Sequence, residues 1–136
     1  MIRNILSTLT GLVVAMAAVF AIELLSHQIR PPPPAISDMS DKQALRDAIA
    51  AMPFGALASV ALAWIVGTFA GALVATKLSC SAIPAWFVGG FIAIAGIANM
   101  LAIPHPLWFW VVACVLIPAA AFSAARLGAP KTLVAA

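Results

Sequence analysis

Charge is what this chain has least of. Only 8% of its 136 residues are Asp, Glu, Lys or Arg, against about 25% in an ordinary soluble domain. That is too little to solvate a globular surface, and four spans with their connections would leave little over for a soluble catalytic domain. The net charge of +3 comes from scattered Lys and Arg with no basic cluster, so a nucleic-acid partner has no footprint. Tyrosine is absent, which removes one common general acid. There are two cysteines, Cys80 and Cys114, and no CxxC, which argues against thiol redox chemistry. Their places, one in a short connection and one inside an apolar run, predict unpaired thiols used as small hydrophobes. Nucleophile elbow, HExxH and glycine-rich phosphate loop are all missing. The sequence therefore predicts a non-enzyme, with no cofactor and no metal centre.

Long apolar runs fill the space that charge leaves. Four cover Ile5–Ile29, Phe54–Thr76, Ala82–Ile103 and Leu107–Leu127. Each approximates the 20 residues that a helix needs to cross about 30 Å of hydrocarbon. The expected fold class is all-α: a single integral-membrane four-helix bundle over residues 1–136, with the connection 30–53 outside. Arg3 followed by an apolar stretch with small residues resembles a signal peptide. The run continues to Ile29, however, so a retained span is expected.

Positive charge gives the orientation. With the N-terminus cytoplasmic, Arg3, Lys77, Arg126 and Lys131 lie inside, and Arg30, Lys42 and Arg46 outside. Lys77 abuts a span end, where charge counts most, and the connection Pro104–Pro106 has no Lys or Arg. Both termini are expected to be cytoplasmic. Membrane lipid is the expected surround, with a homo-oligomer or a larger membrane complex as the candidate assembly.

The polar connection opens with Pro31–Pro34, which favours an extended polyproline II stretch. Ser40 is positioned to cap a helix over Asp41–Met52, with Gln43 as its capping-box partner. Ala44, Leu45, Ala48, Ile49 and Met52 give that helix one apolar face, and Pro53 ends it. Further on, Pro106 precedes the last span, Trp108 and Trp110 follow as interfacial anchors, and Pro118 is expected to kink the helix or free a carbonyl near Cys114. The tail after Pro130 is expected to fray.

Packing has its own signature. Gly55, Ser59, Ala63, Gly67, Gly71 and Ala75 are six small residues spaced four apart, a row along which a second backbone can approach closely. Ala82, Gly89 and Gly96, with Gly90, offer a candidate partner surface on the third span. Packing within the bundle and packing between subunits are both open at this point.

Glu23 is the one acid within the four runs. It stands 20 residues beyond Arg3, about 30 Å along a helix, and so near the outer end of its span. His27 follows at i+4. Asn99 lies at a matching depth in the third span and His105 just above it. Glu23, His27, Asn99 and His105 are thus expected to converge at the outer mouth. An ionised carboxylate facing lipid costs at least ~3 kcal/mol on insertion scales, so Glu23 should face inward. It is a candidate proton or cation site with His27 as relay, or else a structural hydrogen-bonding group tying the first span to the third. A divalent metal on Glu23, His27 and His105 is a weaker alternative.

The stretch Asn99–Trp110, NMLAIPHPLWFW, resembles a group of small bacterial four-span membrane proteins with no assigned activity. The glutamate late in the first span, the proline run after it and the glycine-rich second and third spans extend the resemblance to nearly the full length. It implies an inner-membrane four-helix protein and supplies no reaction, cofactor or ligand. The small multidrug resistance family, four spans with a glutamate in the first, fits poorly. Its glutamate lies near mid-membrane, and the long proline-rich connection is foreign to it.

Three functions are compatible with these residues. One is an accessory or scaffold subunit that packs through small-residue faces. Another is a proton-coupled transporter or channel using Glu23 and His27. The third binds an apolar ligand, such as lipid or quinone, below Trp108 and Trp110.

Overall fold

The computed structural model describes residues 1–29 and 41–130. Arg30, the proline run, Ser40, Lys131 and the C-terminal tail lie outside them, as do the expectations placed there. The described residues form five helices and no strand: α1 (Ile2–Ile29), α2 (Lys42–Ala51), α3 (Phe54–Ser79), α4 (Ile83–Ala102) and α5 (Leu107–Gly128). All except α2 are long and apolar enough to cross a membrane. Their outward faces carry Leu9, Val13, Phe20, Phe91, Ile94 and Val115, the surface that hydrocarbon requires. The chain is a multi-pass membrane protein built as an all-helical bundle.

Consecutive long helices run in opposite directions, so α1 parallels α4 and α3 parallels α5. Helices α3 and α4 touch each other and both flanking helices, and α1 and α5 sit on opposite sides of this central pair. Arg3, Lys77 and Arg126 share one end of the bundle, here the terminal end. Helix α2 marks the other, where Ile49 and Met52 pack on the core.

The small-residue row of α3 is spent on α1. A Cβ added to Gly67 would meet Val19 Cγ2 at 2.6 Å and the Ala15 carbonyl oxygen at 2.8 Å. One added to Gly71 would meet Ala15 Cβ at 2.7 Å and collide with the Gly11 carbonyl. Across the seam, a Cβ on Gly11 would sit 2.7 Å from Ala75 Cβ. Backbones this close gain dispersion along their whole contact, the main source of helix association in lipid.

The expected partner surface on α4 is therefore corrected. Gly89 faces Ala121 of α5, whose Cβ stands 2.5 Å from the position of an added Cβ, and Gly96 lies under the indole of Trp64. The complementary row is Gly11, Ala15 and Val19, itself spaced by four. Of the other members of the α3 row, Ala63 is fully buried, and Gly55 and Ser59 are half-buried.

Polar groups in the core are satisfied by their own helices. Thr68 Oγ1 donates to the Trp64 carbonyl at 2.7 Å, and Thr76 Oγ1 to that of Ala72 at 2.9 Å. Among the described residues no buried side-chain nitrogen or oxygen lacks a partner, as an apolar surround demands.

Local signals fared unevenly. The cap of α2 is Asp41, whose Oδ1 accepts from the N–H groups of Gln43 at 2.9 Å and Ala44 at 3.1 Å. It serves where Ser40 was expected. Gln43, the expected capping-box partner, instead donates its side-chain amide to Asp47 at 3.1 Å. A carboxylate caps as well as a hydroxyl and adds a favourable charge at the helix N-terminus.

Helix α5 continues unbroken through Pro118, which is exposed. Cys80 and Cys114 are free and exposed. Cys80 ends α3 at φ 55°, the left-handed region, so it serves as a turn residue rather than a packed hydrophobe.

Candidate functional site

Side chains at the α2 end divide into two groups. One is an aromatic cluster. Trp64 meets Phe109 edge-on with centroids 5.5 Å apart, Trp108 lies 5.6 Å from Phe109, and Phe54 lies 4.9 Å from Trp108. Phe109 is fully buried, and Trp108 and Trp110 are half-buried. His105 belongs to this cluster. Its ring lies 4.5 Å from that of Phe109, and Nδ1 donates to the Ile103 carbonyl at 2.7 Å. A carbonyl can only accept, so Nδ1 carries a proton in this contact. Trp108 thus packs on Phe109, which in turn packs on Trp64.

The other group lines the seam between α1 and α4. Near the terminal end the two helices are in contact, a Cβ on Gly11 lying 3.0 Å from Val88 Cγ2. Glu23 stands twelve residues beyond Gly11, and Met100 twelve beyond Val88. In parallel helices of equal rise this puts Glu23 level with Asn99 and Met100.

Azimuth agrees with height. Eighteen residues, five full turns, separate Ile5 from Glu23. Ile5 lines a groove of about 210 Å³ with Asn4, Thr8, Leu9 and, from α4, Phe87. Glu23 therefore lies on the flank of α1 that borders α4. On α4, Asn99 lies within about 20° of Val88, given about 100° per residue. Val88 is fully buried, whereas Ala95 and Asn99 on the same strip are exposed. The strip that α1 covers at Val88 is uncovered two to three turns on, so the seam opens toward the α2 end. Glu23 is half-buried on one wall and Asn99 exposed on the other.

Of the four expected cluster residues, Glu23 and Asn99 fall at one level when residues are counted from the Gly11–Val88 contact, on the helices that flank this seam. His27 is exposed one turn beyond Glu23. His105 is engaged with Phe109 of α5, the helix on the far side of the central pair from α1. The described side-chain hydrogen bonds at this end run through Ser26, Ser59, Asp41, Gln43 and His105. Among the described residues none joins Glu23, His27 or Asn99. No three His, Cys, Asp or Glu side chains gather to ligand a metal among the described residues, so Glu23, His27 and His105 do not assemble the weaker metal alternative.

One polar contact escaped the sequence reading. Ser26 Oγ and Ser59 Oγ lie 2.7 Å apart across α1 and α3, and Ser59 also donates to the Ala56 carbonyl at 2.7 Å. With that proton committed, Ser26 is the donor between them. A hollow of about 290 Å³ lined by Ile22, Leu25, Ser26, Ile29 and Ser59 adjoins the pair. Ser59 was visible only as a small residue, and nothing in the pattern paired it with Ser26.

The fold defines a class, the all-helical membrane proteins with four helices long and apolar enough to span. Comparison with protein families, curated proteins and solved structures gave no match.

Proposed function

We propose that this is a non-enzymatic accessory or scaffold protein of the bacterial inner membrane, with both termini cytoplasmic, that works by packing against other membrane helices. One observation carries the reading. The core from α1 to α5 is close-packed Ala, Gly, Val, Ile and Phe, with buried hydroxyls turned onto their own helix carbonyls. Such an interior offers structure rather than a polar path. Asymmetric charge supports the orientation, since Arg3, Lys77 and Arg126 share one end.

The surface for a neighbour is the outer face of α4. Gly67 and Gly71 are already occupied by α1, but a Cβ at Gly90 would meet nothing within 4 Å. Gly90 is exposed between Phe87, Phe91 and Ile94, a notch between large apolar side chains into which a neighbouring helix can settle. The test is Gly90→Leu. It should leave the thermal melt of the purified protein unchanged and abolish the self-association or partner capture seen by crosslinking in native membranes. Normal assembly by this variant would overturn the reading.

The positions of Glu23 and His27 favour a second reading, a small proton-coupled transporter or channel. They lie one turn apart on α1, both reachable from the α2 end. Glu23→Gln should then abolish pH-driven flux in proteoliposomes, whereas under the packing reading it leaves assembly intact.

A further inference from the structure

The α1–α4 seam combines three properties that a packing protein does not need. It opens sideways, toward the lipid, because Ala95 and Asn99 emerge on the strip that α1 covers at Val88. Its two helices carry hydrogen-bond acceptors that fall at one level when residues are counted from the Gly11–Val88 contact, the half-buried Glu23 carboxylate and the exposed Asn99 side-chain carbonyl. Its lower part is apolar, with Met16 of α1 and Phe91 of α4 both exposed beside Ala95. Asn99 lies in the last turn of α4, which ends at Ala102. The polar pair therefore lies within two turns of the α2 end of both helices, with the apolar walls beneath it.

We propose that this seam is a lateral lipid site that selects a phospholipid whose head group ends in a primary ammonium. The ammonium carries three N–H donors and no acceptor. It can give one to the carboxylate in a charge-assisted bond and another to the Asn99 carbonyl. A quaternary ammonium keeps the charge but has no N–H to donate. A glycerol head group has hydroxyls but leaves the lipid's net negative charge beside Glu23, and like charges repel. The acyl chain lies along Met16, Ala95 and Phe91, where hydrocarbon already has to cover the protein. Glu23 is a binding residue here, and Asn99 completes its hydrogen bonding. Exchange of the carboxylate for an amide removes the charge while keeping the shape.

The experiment uses the full chain in detergent with equimolar phosphatidylethanolamine, phosphatidylcholine and phosphatidylglycerol of identical acyl chains, read by native mass spectrometry. Wild type should retain the ethanolamine lipid about tenfold over each of the others, and Glu23→Gln should bring that ratio close to one. Ala95→Phe, which fills the seam without touching the charge, should lower retention of all three lipids. Free ethanolamine at millimolar concentration should not displace the lipid, because it lacks the chains. Equal retention of the three lipids by wild type would overturn the proposal, as would an unchanged preference in Glu23→Gln or full displacement by free ethanolamine. Loss of partner capture in Gly90→Leu is independent of every one of these readouts.

Discussion

The indole of Trp64 lies directly over Gly96: a Cβ added to that glycine would come within 3.0 Å of Trp64 Cζ3 and 3.3 Å of Cε3. This contact joins α3 to α4, and the same indole meets Phe109 of α5 edge-on. The ring thus stands where three helices would otherwise leave a void. Trp64 is partly buried, so Trp64→Ala should destabilise the bundle by about 2 kcal/mol, below the usual cost of removing a fully buried aromatic. Gly96→Leu forces the ring out and should cost about 2 kcal/mol by overpacking. Equilibrium unfolding in mixed micelles checks both. The two changes share one contact, so the double variant should lose less than their sum.

The close seam between α1 and α3 makes a sharper prediction. Gly71 faces the Gly11 carbonyl and Ala15 Cβ, backbone-fixed atoms that cannot rotate aside, so any relief has to move α1 as a whole. Gly71→Leu should separate α1 from the rest of the bundle. The resulting variant is expected to show protease cleavage within the first connection and a melt lowered by well over 10 °C, on the order of 4 kcal/mol in a chain of this length. Gly90→Leu, the same change on an open face, should do neither. The pair of variants separates packing inside the chain from packing between chains.

How much of this could be read from the sequence depends on which physical signal each feature used. The four spans followed from length and apolarity, which the bilayer dictates, and their ends fall within a few residues of those expected. The row Gly67, Gly71 and Ala75 was legible as a close-approach surface, but its partner was not. Gly11 and Ala15 are spaced by four and Gly89 and Gly96 by seven, both compatible with one helix face, and spacing alone does not rank them. Helix topology decides: α1 lies against the glycine face of α3, and Trp64 takes the Gly96 notch. Glu23 and Asn99 could be brought to one depth by counting residues. His105 could not be placed that way, because its position is set by the ring of Phe109 and by the turn carbonyl of Ile103.

Cys80 predicts a gain in stability. It is the one non-glycine residue with positive φ among the described residues, at the point where α3 turns toward α4. An L-residue pays roughly 1 kcal/mol for that conformation, which glycine adopts freely. Cys80→Gly should therefore stabilise the protein by about 1 kcal/mol, somewhat offset by the greater freedom of glycine in the unfolded chain. The turn itself is held by its neighbours, since Ser79 Oγ accepts from the Ser81 N–H at 3.2 Å and Ser81 Oγ from that of Ile83 at 3.3 Å. A rise in the melting temperature checks the prediction; Cys80→Val, β-branched at the same φ, should lower it.

The hydroxyl pair Ser26 and Ser59 gives the last prediction, one about specificity rather than gross stability. At 2.7 Å it is a direct side-chain hydrogen bond between α1 and α3 near the α2 end, beyond the stretch where glycines hold the two backbones together. Such bonds average about 0.6 kcal/mol in membrane proteins, because the separated helices find other partners for the same groups. A double-mutant cycle with Ser26→Ala and Ser59→Ala should return a coupling of that size. Ser59→Ala alone should cost a little more than Ser26→Ala, because Ser59 also holds the Ala56 carbonyl. With Ser26 as donor, Ser26→Cys should weaken the bond and Ser26→Thr preserve it. If Ser26→Ala and Ser59→Ala prove additive within error, the hydroxyls only fill space, and the α1–α3 register rests on Gly67 and Gly71 alone.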